Sequence, residues 1–219
     1  MDPRHWHERW ENNQIGFHQR QINTHLETFW PQSGIAADCR VFVPLCGKSL
    51  DMLWLRAQGH EVLGIEISPK AVADFFTENQ LTPSIGKNER FEHWSCDGLT
   101  LLLGNFFDLQ PEDLAGCAAT YDRASLVALP PPMRRDYAQH LASIQPADAI
   151  TLLVSMEYPQ DQMAGLPFSV EEAEVRELYA ANHRVECLHD EDMLAGNPRF
   201  KERGLTHLHE KVYRLSPPG

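Results

Sequence analysis

The chain of 219 residues has no C-x-x-C pair, and its five cysteines, Cys39, Cys46, Cys96, Cys117 and Cys187, are odd in number and far apart. That spacing argues against a disulfide framework or a structural zinc site and points to a reducing compartment. No stretch reaches 18 uninterrupted apolar residues, and the opening Met1-Asp2-Pro3-Arg4-His5-Trp6-His7-Glu8 lacks an apolar core of signal-peptide length. A cytoplasmic protein with no membrane partner is expected. Basic residues are scarce, 19 against 31 acidic, and the resulting net charge of −12 repels a phosphate backbone, so no nucleic-acid partner is expected. Repeats and low-complexity tracts are missing too, and proline and glycine are scattered as turn punctuation. One domain over residues 1–219 follows, and 42% hydrophobic with 23% charged residues suffices for a sizeable core.

From Arg40 onward, short apolar runs alternate with longer helix-like stretches: Val41 to Leu45 then Ser49 to Gln58, Val62 to Ile67 then Pro69 to Gln80. This alternation predicts right-handed βαβ crossovers and a parallel sheet covered on both faces. Phe91 to Cys96 and Leu99 to Phe107 flank Asp97-Gly98, a hairpin signal. Further strands are expected over Thr120 to Val127 and Ala149 to Met156, with a helix over Met133 to Ile144 between them. Ser169-Val170-Glu171-Glu172 has capping-box spacing for a helix running to about Ala181. Arg184 to His189 and Leu205 to Leu215, joined by a loop with Gly196, Asn197 and Pro198, should close the sheet as an antiparallel excursion. Residues 1–35 fall outside the alternation. There Pro3 to Asn13 reads as a short helix with Trp6 and Trp10 on one face, either pinned to the core or serving as a lid over a ligand.

The run Val41-Phe42-Val43-Pro44-Leu45-Cys46-Gly47-Lys48-Ser49-Leu50 is a buried strand ending in a turn that opens into a helix. In parallel sheets such a turn is where backbone approaches a cofactor, which glycine permits. Glu66, nineteen residues after Gly47, is placed to accept hydrogen bonds from ribose hydroxyls. The G-x-G-x-x-G pattern that crowds a pyrophosphate is missing, so a cofactor without phosphates, S-adenosylmethionine, fits better. One glycine and one spaced acid nevertheless match many nucleotide folds. A nicotinamide-dependent oxidoreductase and a non-catalytic nucleoside-binding module are the alternatives. Lys48 does not make a P-loop, because Phe42 stands where its first glycine belongs, and Gly47-Lys48-Ser49 lacks the closing glycine of a hydrolase elbow.

Pro44-Leu45-Cys46-Gly47-Lys48-Ser49, Gly59-His60, Gly64-Ile65-Glu66-Ile67-Ser68, Phe75-Phe76 and Tyr121-Asp122-Arg123 resemble the thiopurine S-methyltransferase family. Trp6-His7-Glu8-Arg9-Trp10, Gly16-Phe17-His18 and Glu210-Lys211-Val212-Tyr213 are similar to further elements of it. The resemblance implies a class I, Rossmann-like α/β methyltransferase: a seven-stranded, mostly parallel sheet with its last strand antiparallel and helices on both faces. It implies methyl transfer from S-adenosylmethionine to sulfur of a small aromatic or heterocyclic thiol, and an association with selenium and tellurium compounds. A monomer is expected, with residues 1–35 as a helical lid on a sheet domain of residues 36–219. Carried over by position, Trp10, Leu45, Gly47, Glu66, Asn105, Phe106 and Arg123 would surround the cofactor. Trp10 would offer its π-face to the sulfonium, and Asn105 and Phe106 would meet the adenine, with ordinary core the rival reading of Phe106-Phe107, since adjacent strand residues face opposite ways and only one can point to the site.

Arg123 has two readings, a substrate or cofactor contact or a structural salt bridge with Asp122 or Asp108. Arg199, in the loop before the last strand, aligns with a second family arginine near the substrate, although Phe200-Lys201-Glu202-Arg203 departs from the family pattern there. Phe17 would help close the pocket. His5-x-His7 and His207-x-His209 lack a third ligand of matching spacing, so no metal is expected.

Overall fold

A computed structural model describes residues 3–218, with the side chain of Pro3 left aside. The N-terminal segment carries α1 (Pro3–Glu11) and α2 (Thr24–Phe29). Then follow β1 (Arg40–Val43), α3 (Asp51–Ala57), β2 (Glu61–Glu66), α4 (Pro69–Glu78), β3 (Ser84–Lys87), β4 (Glu92–Cys96) and β5 (Leu99–Leu103). The second half holds β6 (Cys117–Arg123), α5 (Ser125–Ala128), α6 (Pro131–Ile144), β7 (Ile150–Glu157), α7 (Glu172–Tyr179), β8 (Arg184–Asp192), α8 (Pro198–Glu202) and β9 (His209–Ser216).

The nine strands among the described residues form one sheet in the order β3-β4-β5-β2-β1-β6-β7-β9-β8. The five strands from β5 to β7 are mutually parallel, and β9 runs antiparallel between β7 and β8. The seven strands expected are therefore corrected to nine, because β3 and β4 extend the sheet antiparallel beyond β5. β3 is exposed along its whole length, so its sequence has no buried alternation to betray it. Asp97 and Gly98 both take positive φ, 44° and 74°, as a two-residue primed turn requires.

Each face of the sheet is sealed by its own helices. On one, Leu26 of α2, Met52 and Leu55 of α3 and Val72, Phe75 and Phe76 of α4 pack on Val41, Val43, Val62 and Val154. On the other, Tyr137, Ala138, Leu141 and Ile144 of α6 and Val175 and Tyr179 of α7 cover Phe42, Leu63, Leu153 and Tyr213. The spacing of three and four residues within α4 and α6 is what aims these side chains at one surface.

Three local expectations are overturned. The strand expected to Val127 stops at Arg123, because Ala124 adopts a left-handed conformation (φ 68°) and starts α5. Buried Arg134 then fastens α5 by donating Nε to the carbonyls of Leu126 and Leu129 (3.0 and 2.9 Å). The capping box also fails. Ser169 Oγ accepts the Tyr158 N–H at 2.9 Å, and the first amide of α7 at Glu172 is capped instead by the Glu157 carboxylate at 3.0 Å. The loop expected around Gly196 to Pro198 folds as a 3₁₀ turn, Leu194–Gly196, followed by α8.

Candidate functional site

β1 lies between β2 and β6, the point where successive crossovers leave in opposite directions, so a crevice opens beyond the strands' carboxyl ends. The turn after β1 is drawn tight: Cys46 N–H donates to Ile65 O at 2.9 Å, Leu45 has φ 45° and Gly47 φ 54°. A methyl group on Gly47 would lie 3.1 Å from the ring of Trp10. Glycine is thus required twice, for backbone conformation and for room.

Glu66 ends β2 and is almost fully buried. Its Oε2 accepts Gly47 N–H at 2.9 Å and its Oε1 accepts Ser68 N–H at 2.8 Å. Burial pushes the carboxyl pKa up, and these backbone donors oppose the shift. Each oxygen keeps a second lone pair for a ligand hydroxyl.

α1 lies over this turn. His7 Nε2 is 3.0 Å from Ile67 O, and because a carbonyl only accepts, the imidazole donates. Phe17 meets Trp6 and Trp10 edge-to-face at 5.9 and 5.6 Å. The two roles proposed for the tryptophans therefore divide: Trp10 is buried yet reaches the cavity, and Trp6 lies on its rim.

Arg123, the last residue of β6, does not pair with Asp122 or Asp108. Its Nη1 is 3.4 Å from Oδ2 of Asp51, a fully buried carboxylate that also accepts Tyr121 OH at 3.0 Å and, on Oδ1, Asn23 N–H at 2.8 Å. Asp122 is spent on Tyr137 OH at 2.7 Å. Arg199, on α8, donates Nη1 to Gly16 O at 3.2 Å and lies 5.2 Å over the Phe200 ring. The N-terminal segment thus meets the β8–β9 connection above the crevice.

Between these elements lies a cavity of about 920 Å³. That is the upper end of the usual small-molecule range, with room for a nucleoside cofactor and an acceptor together. Trp10, Phe17, Leu45, Gly47, Glu66, Arg123 and Arg199 all line it. Asn105 and Phe106 do not. β5 ends at Leu103, the chain turns into a 3₁₀ helix at Phe106, Asn105 caps that turn through Phe107 N–H at 3.2 Å, and Phe106 stacks on Tyr137 at 4.7 Å in the core. An annex of about 60 Å³, bordered by His18, Lys48, Asp51 and Arg123, adjoins the cavity. Sequence reasoning did not single out Asp51, Arg9 or Glu210 as site residues, although Arg9 and Glu210 lie within runs that carry the family resemblance.

Arg9, Arg123, Arg199 and Arg203 against Glu66 and Glu210 make the cavity wall cationic in a chain of net charge −12, which suits an anionic acceptor. A buried carboxylate, one glycine rather than a pyrophosphate cradle, and aromatic rings over the turn fit an S-adenosyl cofactor. Among the described residues no group of three or more His, Cys, Asp or Glu is arranged to hold a metal ion.

Solved methyltransferases share this architecture. An S-adenosylmethionine-dependent methyltransferase from Methanosarcina mazei superposes with TM-score 0.64 at 13% identity, covering 90% of this chain and 98% of that one. One from Anabaena variabilis gives 0.63 at 12%, covering 99% and 95%. At such identities the likeness establishes the fold alone. Sequence relatives go further. Thiopurine S-methyltransferases from Pseudomonas fluorescens (strain Pf0-1) and Nitrosospira multiformis are 51% and 49% identical over 215 residues, covering 98% of this chain in each case and 99% and 98% of theirs. The enzyme of that name from Pseudomonas paraeruginosa is 53% identical over 210 residues, 96% of both chains. The profile of the Thiopurine S-methyltransferase (TPMT) family matches residues 1–217. These matches favour neither the oxidoreductase nor the binding-module alternative. The chain belongs to the thiopurine S-methyltransferase family and is an S-adenosylmethionine-dependent S-methyltransferase.

Proposed function

We propose that the acceptor is a small aromatic or heterocyclic thiol, held between the N-terminal lid of residues 1–35 and the β8–β9 insertion of the sheet domain. Trp10, Leu45, Gly47, Glu66 and Arg123 hold the cofactor, and Phe17, Arg123 and Arg199 place the acceptor. The observation that carries this reading is one cavity with a carboxylate preset by two backbone N–H groups at one end and two guanidiniums beneath an aromatic roof at the other.

Bound S-adenosylmethionine supplies a methyl group on a cationic sulfur, already a good electrophile. The protein's work is then mostly geometric. Glu66 accepts from the ribose, the Trp10 face lies toward the positive sulfur, and the lid excludes water. Arg123 and Arg199 favour the thiolate over the thiol, the reactive form of the acceptor. Holding sulfur and methyl carbon in line at about 3 to 3.5 Å turns a bimolecular displacement into an effectively unimolecular one. The five free cysteines agree with a cytoplasmic setting, and we propose that the protein acts there as a monomer.

The test is mass-spectrometric detection of the S-methyl product from a nitro-substituted thiophenol and from mercaptopyridine, with a selenol in parallel. It is paired with calorimetric titration by S-adenosylhomocysteine and by NAD. Tight binding of NAD with none of S-adenosylhomocysteine, or no S-methylation of either thiol, overturns the reading.

A further inference from the structure

A methyl group arriving on a protonated acceptor displaces a proton, and something must take it. Two carboxylates line the main cavity, Glu66 and Glu210. Glu66 already holds one backbone N–H on each oxygen, at the cofactor end. Glu210 stands elsewhere: it is near the start of β9, opposite Met156 of β7, which also lines the cavity. With β7 between them, β6 and β9 are two strand spacings apart, about 10 Å from backbone to backbone, and Arg123 and Glu210 line the same cavity from strands on either side of β7.

Glu210 is also fixed in place. Its Oε2 is 3.0 Å from Nε2 of buried His25, and since a carboxylate has no hydrogen to give, the imidazole donates. Oε1 has no hydrogen-bond partner among the described residues. The other bases at hand are poorer ones. Asp51 has both oxygens engaged, and His18, in the annex, has its proton affinity lowered by burial and then by the Lys48 and Arg123 charges.

We propose that Glu210 is the proton acceptor of the methyl transfer when the acceptor arrives protonated, on sulfur or on a ring nitrogen, and that His25 is its positioning residue. This rests on the thiol-acceptor reading above. In the step, a sulfur electron pair of the acceptor forms the new bond to the methyl carbon. The bond between methyl and sulfonium breaks with its pair left on the cofactor's sulfur. The proton on acceptor sulfur or nitrogen passes to Glu210 Oε1, and in a ring thione the freed N–H pair restores the aromatic ring. A sulfonium and a carboxylate thus become a thioether and a carboxylic acid, and charge balances.

The test compares parent and Glu210→Gln on three acceptors at neutral pH: a nitro-substituted thiophenol, which is already ionised, an alkyl thiol, and mercaptopyridine, which carries its proton on nitrogen. Glutamine keeps an oxygen for His25 but takes up no proton. The expected result is that kcat/KM falls at least about 10-fold more for one or both protonated acceptors than for the thiophenol. A loss confined to the alkyl thiol assigns the proton to sulfur, and one confined to mercaptopyridine assigns it to nitrogen. Calorimetry on the parent saturated with S-adenosylhomocysteine should also show mercaptopyridine binding several-fold more tightly than to the variant, whichever rate effect is seen. Equal losses for all three acceptors, or none, overturn the proposal and return Glu210 to a structural role. If the parent methylates none of the three, the thiol-acceptor reading itself falls. Should Glu210→Gln not fold, His25→Asn carries the same expected ordering and the same overturning result.

Discussion

Glu66→Gln separates the turn closure that the structure shows for this carboxylate from the ribose contact proposed for it. The side chain closes the β1–α3 turn by accepting Gly47 N–H on one oxygen, at 2.9 Å, and Ser68 N–H on the other, at 2.8 Å. Glutamine keeps one oxygen and turns an NH₂ toward the remaining backbone donor, so one bond is lost and a buried N–H is stranded, at about 1–3 kcal/mol. For a domain of this size that lowers Tm by about 2–10 °C. The cofactor's ribose meanwhile loses a charged acceptor worth about 1.5–3 kcal/mol, or roughly 10- to 150-fold in Kd. Calorimetric titration with S-adenosylhomocysteine, run beside a thermal melt, reads both quantities. A lowered Tm with an unchanged Kd would refute the ribose assignment and leave Glu66 as a clamp on the turn alone.

Arg123→Lys keeps the charge but loses the planar fork shared between Asp51 and the cavity, and should lower kcat/KM by about 10-fold or more, or about 1.4 kcal/mol, in steady-state kinetics; no loss would assign Arg123 to the Asp51 pair alone. Gly47→Ala places a side chain at φ 54° and 3.1 Å from Trp10, so cofactor binding should weaken several-fold and Tm fall, whereas a parent-like titration would show that the turn has slack. Asp122 is fully buried, which raises its pKa from 3.8 to about 6. Because the folded form then holds the proton more tightly than the unfolded one, stability present below pH 4 is lost as pH rises through 6, by about 3 kcal/mol. Urea titrations between pH 4 and 7 should show that decline in the parent and flatten it in Asp122→Asn; parallel curves would mean that the burial is relieved by water.

The parallel core was legible because burial on both faces forces apolar runs such as Val41 to Val43 and Val62 to Ile65, and because turns at Gly47 and Asp97-Gly98 advertise their backbone demands. The cofactor end of the site was legible for the same reason. Gly47 lies in the turn after β1 and Glu66, nineteen residues on, ends the adjacent parallel strand β2, so local crossover geometry brings them together. For Phe106 the sequence left adenine contact and core both open, because a strand's end does not say which way the next ring turns, and here the 3₁₀ turn packs it against Tyr137. At the acceptor end Arg123, Arg199 and Phe17 were named only through the family resemblance, and their partners had no local signature. Asp51 lies beneath Arg123 because α3 docks beside β6, and Arg199 against Gly16 at a separation of 183 residues and His25 behind Glu210 at 185 meet only because the N-terminal segment packs against the C-terminal half. Chain chemistry specified the layers and the turn. Contacts between segments far apart in sequence, which carry no periodicity and depend on how whole elements dock, decided which charges face the reacting atoms.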